Sequence, residues 1–452
     1  MHIMHIISHK AIKIMGYIMK DICLTYLGED IRPAKYIVSF FRIAGVYVYE
    51  RIIYSNDKVK PDFPSFDMDI NIIILGQNYV DELIERYGTE DTVFILMSDR
   101  KVIDKDCIIG KDKKNIGILE DLIKLLSKKY TQFDIEKNAL SSLAEIFESN
   151  HLAETLLGTR YFLPDKIIYS MLCPNYEKAI EDISNKLKED IEESIKGNFL
   201  WFAMAYIGYE YNYYCKRLKQ GFLFRPDNLL EITEELREGY NGNWKSLLLL
   251  QAQIYDDLEG KVKKAYELYA ETADSAYNAF AWYKMGNIWQ KNYKDSAIAL
   301  EHFKKAVNIN PSYYRAIYKV AECEYMLENF NISETLYKRV IELLQNNYAK
   351  GILSPLDIEY LYKSNFNIAR IEVTQYGDIF EAVRIYKWIE ELWERILDDT
   401  SVNNICFIYI FVSEFNEKIL TNLYQVLKNK LDVNNVKEER NSLESTIAVK
   451  AY

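Results

Sequence analysis

Cysteine is sparse in this chain and never paired. Six copies, Cys23, Cys107, Cys173, Cys215, Cys323 and Cys406, are scattered along 452 residues, with no C-x-x-C and no Cys/His spacing that would hold zinc. That usage excludes a disulfide-stapled secreted scaffold and fits a reduced, cytoplasmic chain. Positive charge is in deficit as well. Lys and Arg number 56 against 67 Asp and Glu, for a net charge of -11. This balance argues against a nucleic-acid partner, because phosphate binding needs a basic face. Long hydrophobic runs are missing, so no membrane span is expected. The strongest run, WFAMAYIGYEYNYYC, is too short and is broken by Tyr and Asn. Residues 1–20 lack the small-residue cleavage site of a signal peptide, and His2, His5 and His9 interrupt them. Those histidines share one helical face, but no carboxylate or Cys completes a metal site. Met15 and Met19 stand just before the first strand, so residues 1–20 read as a leader with a misassigned start. A nucleotide loop is absent too: GKDKKN at 110–115 lacks the earlier Gly and the Ser or Thr of a P-loop.

What the chain does have is core material. Hydrophobic residues make up 49 % and charged residues 27 %, enough for two or three domains. Tyr is abundant, with 37 copies, a sign of helices packed through amphipathic rings. Residues 21–130 alternate β-rich runs with helical stretches. The runs are DICLTYL, GVYVYERII, INIIILG, TVFILMS and DCIIG; the helical stretches are RPAKYIVSFFRIAG, YVDELIERYG and KNIGILEDLIKLLSKKY. Each run is continuously apolar, which predicts strands buried on both faces of a mostly parallel sheet covered by helices. Gly45 predicts the end of the first helix. The β pattern stops near residue 131. Residues 131–235 read as helices with degenerate repeats, 236–400 as a repeat array, and 401–452 as a capping helix with a polar tail.

The array shows itself by spacing. Ala265, Ala299 and Ser333 stand 34 residues apart; so do Tyr269, Phe303 and Tyr337, and so do Thr272, Ala306 and Val340. A small residue, a ring four later and a small or β-branched residue three after that describe the second helix of a two-helix unit. AWYKMGNIWQKNYKDSAIALEHFKKAVNINP is the clearest unit. In Trp282, Met285, Gly286 and Trp289, then Ala299, Phe303, Ala306 and Pro311, it resembles the tetratricopeptide repeat (TPR), with one extra residue in the turn. The next unit carries Ala321, Ser333, Tyr337 and Val340, and a later one Ala369, Ala382, Tyr386 and Ile389. An earlier one spans about 244–273. The resemblance implies an all-α solenoid whose groove binds a protein or peptide. Groove candidates on the first helices are Lys284, Asn287, Lys291, Tyr318 and Lys319.

At the other end, DICLTYLGEDIRPAKYIVSFFRIAGVYVYER resembles the opening of a Toll/interleukin receptor (TIR) domain, in Asp21, the strand to Tyr26, Gly28, Glu29, Asp30 and Arg32. INIIILGQNYVDE, with Asn78 and Tyr79, is similar to that family's third strand and loop. The resemblance covers residues 21–130 and implies a flavodoxin-like α/β fold. It also implies one of two roles, cleavage of NAD or self-association as an adaptor. The enzymes of the family share a glutamate on the helix between the second and third strands, where it stabilises an oxocarbenium-like centre. Here SNDKVKPDFPSFDMD fills that place, with Pro61 and Pro64 opposing a helix and no glutamate. The remaining candidate acids are Asp67 and Asp69, together with Glu50 at the end of the second strand. The D-x-D spacing of Asp67 and Asp69 precedes a strand, whereas in metal-dependent glycosyltransferases it follows one. Glu29, Asp30, Arg32, Gln77, Asn78 and Asp99 gather at the carboxyl edge of the sheet as nucleotide-binding candidates.

The expectation is therefore a cytoplasmic, bacterial two-part protein with no resident cofactor or metal. A degenerate TIR-like α/β domain, able to self-associate, precedes a TPR-like solenoid that recognises a protein ligand in a signalling or defence pathway. NAD enters only as substrate or ligand of an enzymatic alternative regulated by the repeats. A plain TPR scaffold is the third reading.

Overall fold

The computed structural model describes residues 21–27, 31–53, 70–75, 92–96, 108–109, 115–130, 133–134, 137–152, 173–190, 198–217, 225–239, 244–273, 278–349, 355–378, 381–382 and 384–385. The chain divides into two compact units. Met1–Gly158 and Asp165–Thr272 form the first, Thr159–Pro164 and Ala273–Tyr452 the second. The sequence boundaries at 130 and 235 fall inside the first unit.

In the first unit, β1 (Ile22–Leu27), β2 (Val48–Ile53), β3 (Ile70–Leu75), β4 (Thr92–Leu96) and β5 (Ile108–Ile109) form one sheet. Its order is β2-β1-β3-β4-β5, and every neighbouring pair is parallel. Ile22, Leu24 and Tyr26 are buried on one face of β1, Cys23 and Thr25 on the other. Both faces are covered, as the continuous apolar runs predict. Helix α1 (Ile31–Ile43) joins β1 to β2. It ends in a Schellman motif: the Gly45 N–H donates to the Arg42 carbonyl at 3.2 Å and the Val46 N–H to that of Phe41 at 2.9 Å. Gly45 takes φ +77°, which only glycine adopts without strain.

Among the described residues seven helices follow: α2 (Asn115–Lys129), α3 (Lys137–Ser149), α4 (Cys173–Asp190), α5 (Asn198–Arg217), α6 (Pro226–Gly239), α7 (Lys245–Asp257) and α8 (Val262–Ala273). Several of them pack on α1 and the loop before β2. Tyr36 and Phe40 of α1 meet Phe147 of α3 edge-on, at 5.2 and 5.7 Å. Phe202 of α5 stacks on Trp244 at 5.3 Å, and the Trp244 indole N–H donates to the Gly45 carbonyl at 2.7 Å. Beside it Lys245 pairs with Asp21, the residue before β1. A Cβ on Gly45 would lie 2.7 Å from Phe202 Cγ and 3.0 Å from Trp244 Cζ2. One glycine thus serves both the helix end and the seal over the amino edge of the sheet.

The second unit is a run of TPR-like helix hairpins. α9 (Ala279–Ile288) pairs with α10 (Ser296–Ile309), α11 (Tyr314–Met326) with α12 (Phe330–Ala349), and α13 (Pro355–Ile371) follows. All nine residues of the 34-residue pattern, three to each position, are fully buried. Gly286 admits the ring of Phe303, since an added Cβ would lie 2.6 Å from Phe303 Cε1. Ser333, the polar member of its series, donates its hydroxyl to the Ala321 carbonyl at 2.8 Å, so its burial leaves no unmet group.

The extra turn residue also has a physical form. After α9 the backbone widens into a π turn, Trp289–Tyr293, closed by the Asp295 N–H donating to the Trp289 carbonyl at 3.2 Å. A second π turn, Glu372–Tyr376, follows α13 and is closed by Asp378 to Glu372 at 2.9 Å. The small residues Gly286 and Ala299 are 13 apart, as are Ala369 and Ala382; Ala321 and Ser333 are 12 apart, and their hairpin has no π turn. One inserted residue is absorbed by one π turn, which keeps the small residues facing each other.

Candidate functional site

The first helices α9, α11 and α13 touch through a layer of rings and cations. Gly286, Ala321 and Ala369 occupy equivalent positions. Two residues before them stand Lys284, Lys319 and Asn367; one residue after them stand Asn287, Glu322 and Arg370. The Tyr283 ring lies 5.4 Å from that of Tyr313 and 6.0 Å from the Arg315 guanidinium. Tyr318 meets Tyr360 edge-on at 5.0 Å, and its hydroxyl accepts from the Asn367 amide at 3.0 Å. The Lys363 ammonium stands 5.7 Å from the Tyr360 ring, and the Arg370 guanidinium 4.1 Å from that of Tyr325.

The five groove candidates fare differently in this layer. Lys291 is exposed on the first π turn, and Lys284 is half-buried with its ammonium 5.9 Å from the Phe280 ring. Asn287 hydrogen-bonds the Tyr283 hydroxyl. Lys319 donates to Gln290 Oε1 at 3.2 Å and to the Glu322 carboxylate at 2.5 Å. Burial alone would lower the Lys319 pKa, but Glu322 outweighs it and raises it, so the charge is held in place. Tyr318 is 5 % exposed, because its ring fills the space between the first helices. Burial would likewise raise the Tyr283 pKa, yet Arg315, with Asn287, Tyr360 and Lys319, lowers it. A phenol so shifted reports a positive local field.

The sequence reading left out Arg315, Lys363 and Arg370. Their signal was available in the repeat register, six residues before or one after the small residue of each unit. Cys323 in the same layer is no nucleophile. Burial and Glu322 push its thiol up to about 12, which leaves almost no thiolate at neutral pH.

In the sheet, the order reverses between β1 and β3, and ligands of open α/β folds bind in the crevice at such a point. Glu29, Asp30, Gln77, Asn78 and Asp99 lie outside the described residues, as do Asp67 and Asp69. Arg32 is described only as backbone in the first turn of α1. Glu50 is described, and it is the third residue of β2 rather than its last. Its carboxylate accepts from Lys35 at 2.5 Å and from the Tyr26 hydroxyl at 3.1 Å, with Arg42 at 3.9 Å. Burial would raise its pKa; Lys35 and then Arg42 outweigh that and lower it. Two cations and a phenol already engage this acid on the α1 side of the sheet.

Among the described residues no group of three or more His, Cys, Asp or Glu is placed to hold a metal ion. No described helix is long and apolar enough to cross a membrane. No family model matches the chain, and no curated protein matches it. Solved structures do. One is titled as the human IFIT1 dimer with PPP-AAAA: 15 % identity, 74 % of this chain and 90 % of that one covered, TM-score 0.33. Another is yeast Tom70: 12 % identity, 74 % and 79 % covered, TM-score 0.30. At these scores the likeness decides nothing about ligand or activity.

Proposed function

We propose that this chain is a cytoplasmic protein-recognition scaffold whose first-helix layer binds an acidic segment of a protein partner. One observation carries the reading. In a chain of net charge -11, the described part of this layer holds five cations, Lys284, Arg315, Lys319, Lys363 and Arg370. Against them stand Glu322, tied to Lys319, Glu324, tied to Lys304 of α10, and Asp357 and Glu359 near the start of α13. Rings interleaved with cations suit peptide carboxylates, which gain charge-assisted hydrogen bonds from Lys and Arg over an apolar floor.

The α/β part is read as TIR-like and flavodoxin-like. The strand order and the opening box from Asp21 to Arg32 support this, and its role in the proposal is assembly with its own kind rather than catalysis. A place in signalling or bacterial defence follows only from that reading.

The test is anisotropy titration of the full chain with a fluorescent Asp/Glu-rich peptide. Charge reversal at Lys284 and Lys291 together is expected to weaken binding by about tenfold without a change in melting temperature. Equal affinity in the double variant and the parent removes the proposal. For the α/β part, purified protein incubated with NAD, dilute and crowded, is expected to release no nicotinamide. Release that disappears in Glu50→Gln would instead identify an enzyme and its acid.

A further inference from the structure

At the turn ends of the same hairpins, the second unit carries an edge of the opposite character. Met326, Leu327, Ile332 and Tyr376 are four of the five large apolar side chains that stand exposed among the described residues. Ile332 and Tyr376 line one place, and Met326 and Leu327 precede its first turn in the chain. An open cavity of about 430 Å³ lies between the Glu328–Ile332 turn and Gln375 and Tyr376 of the second π turn. The Tyr376 hydroxyl donates to Asn331 Oδ1 at 2.5 Å and lies 3.4 Å from a Glu334 oxygen, fastening the π turn to the head of α12. The equivalent ring of the first π turn, Tyr293, instead packs on its own Trp289 at 4.7 Å.

Glu328 lines this cavity and Glu334 reaches the Tyr376 hydroxyl at its wall, while Glu372, beside the π turn, feels Glu334, Asp378 and Glu381. Two cations offset them, Lys338 on Glu334 and Arg384 on Glu381. Burial and then Glu334, Glu381 and Asp378 push the Glu372 carboxyl up, with Lys338 offsetting them in part.

We propose that this edge docks a short basic protein segment carrying an apolar side chain. The side chain enters the cavity against Phe330, Ile332 and Tyr376, and its Lys or Arg neighbours meet the carboxylates. The two requirements are independent. Exposed Ile332 and Tyr376 around one cavity with Phe330 suit an apolar cover. The excess of carboxylates repels phosphate, anionic lipid and acidic peptide, and favours a cationic one.

The test uses the full chain and three fluorescent peptides of equal length. One mixes Lys and Arg with Leu and Phe. The second keeps the cations but has Ser for the apolar residues, and the third keeps the apolar residues but has Glu for the cations. The first is expected to bind, and the second and third to bind at least about tenfold more weakly. Ile332→Ser, and separately Glu328→Gln with Glu372→Gln, should each weaken the first peptide by about tenfold while circular dichroism is unchanged. The Lys284 and Lys291 charge reversal should leave it within about twofold, which separates this site from the first-helix layer. Failure of the first peptide to bind, equal binding of all three, or parental affinity in Ile332→Ser would each overturn the proposal.

Discussion

Gly45 concentrates two demands on one residue. Its φ of +77° alone makes a β-carbon costly by about 1 kcal/mol. Here that β-carbon would also press within 3.0 Å of Phe202 and Trp244. Gly45→Ala is expected to destabilise the first unit by about 2–4 kcal/mol, read from denaturant midpoints. A loss near 1 kcal/mol would mean that the two rings yield. The helix stop was legible, because Gly closes helices everywhere. The seal was not, since nothing local ties residue 45 to residues 202 and 244. Glu50 teaches the same lesson. Lys35 and Arg42 are seven apart on one face of α1, a visible hint of a carboxylate between them. Which carboxylate that is depends on the register that sets Leu24 beside Glu50. Its folded pKa is depressed, so its stabilisation is present above the unfolded value of about 4.3 and is lost as pH falls through the folded one. Glu50→Gln should cost about 1–2 kcal/mol at pH 7, and the gap to the parent should be narrower at a pH well below the unfolded value. A gap equally wide at both pH values would assign the loss to packing.

At the scale of the element, the 34-residue spacing was legible because it is a packing statement: only small residues fit where helices cross, and all of them are buried. The count of the extra residue was legible too. Its shape was not, because the same insertion can be held by a longer loop or a wider helical turn. Hairpin ends are also where this chain departs from ideal chemistry. Lys294 and Glu328 adopt left-handed φ of 58° and 64°, whereas Gly377 closes the second π turn. Lys294→Gly and Glu328→Gly should each stabilise the second unit by about 0.5–1 kcal/mol, seen as a higher melting temperature. A fall in both would show that the side chains contribute more than the backbone loses. Ala299→Trp tests the repeat register itself. Overpacking against α9 should lower the melting temperature of the second unit, and an unchanged curve would count against the register.

At the scale of the whole molecule, net charge proved too coarse a guide. The balance of -11 argues against nucleic acid as an overall partner, yet it averages a cationic helix layer with an acidic turn edge. Neither patch was legible as a patch, since each draws residues from several helices whose register had to be known first. Each compact unit has its own core, so calorimetry should show Gly45→Ala lowering one transition and Ala299→Trp another. One transition that moves in both variants would mean the units unfold together.

The Trp244–Gly45 hydrogen bond spans 199 residues of chain. Its consequence lies in time as well as in space. A ribosome adding about 5–20 residues per second brings the tryptophan out of the exit tunnel roughly 10–40 s after the glycine. Until then the amino edge of the sheet has no lid, and the apolar surface meant for Phe202 and Trp244 stays open to other chains. Nascent copies of this protein should therefore recruit chaperones over that window, and Trp244→Ala should prolong it.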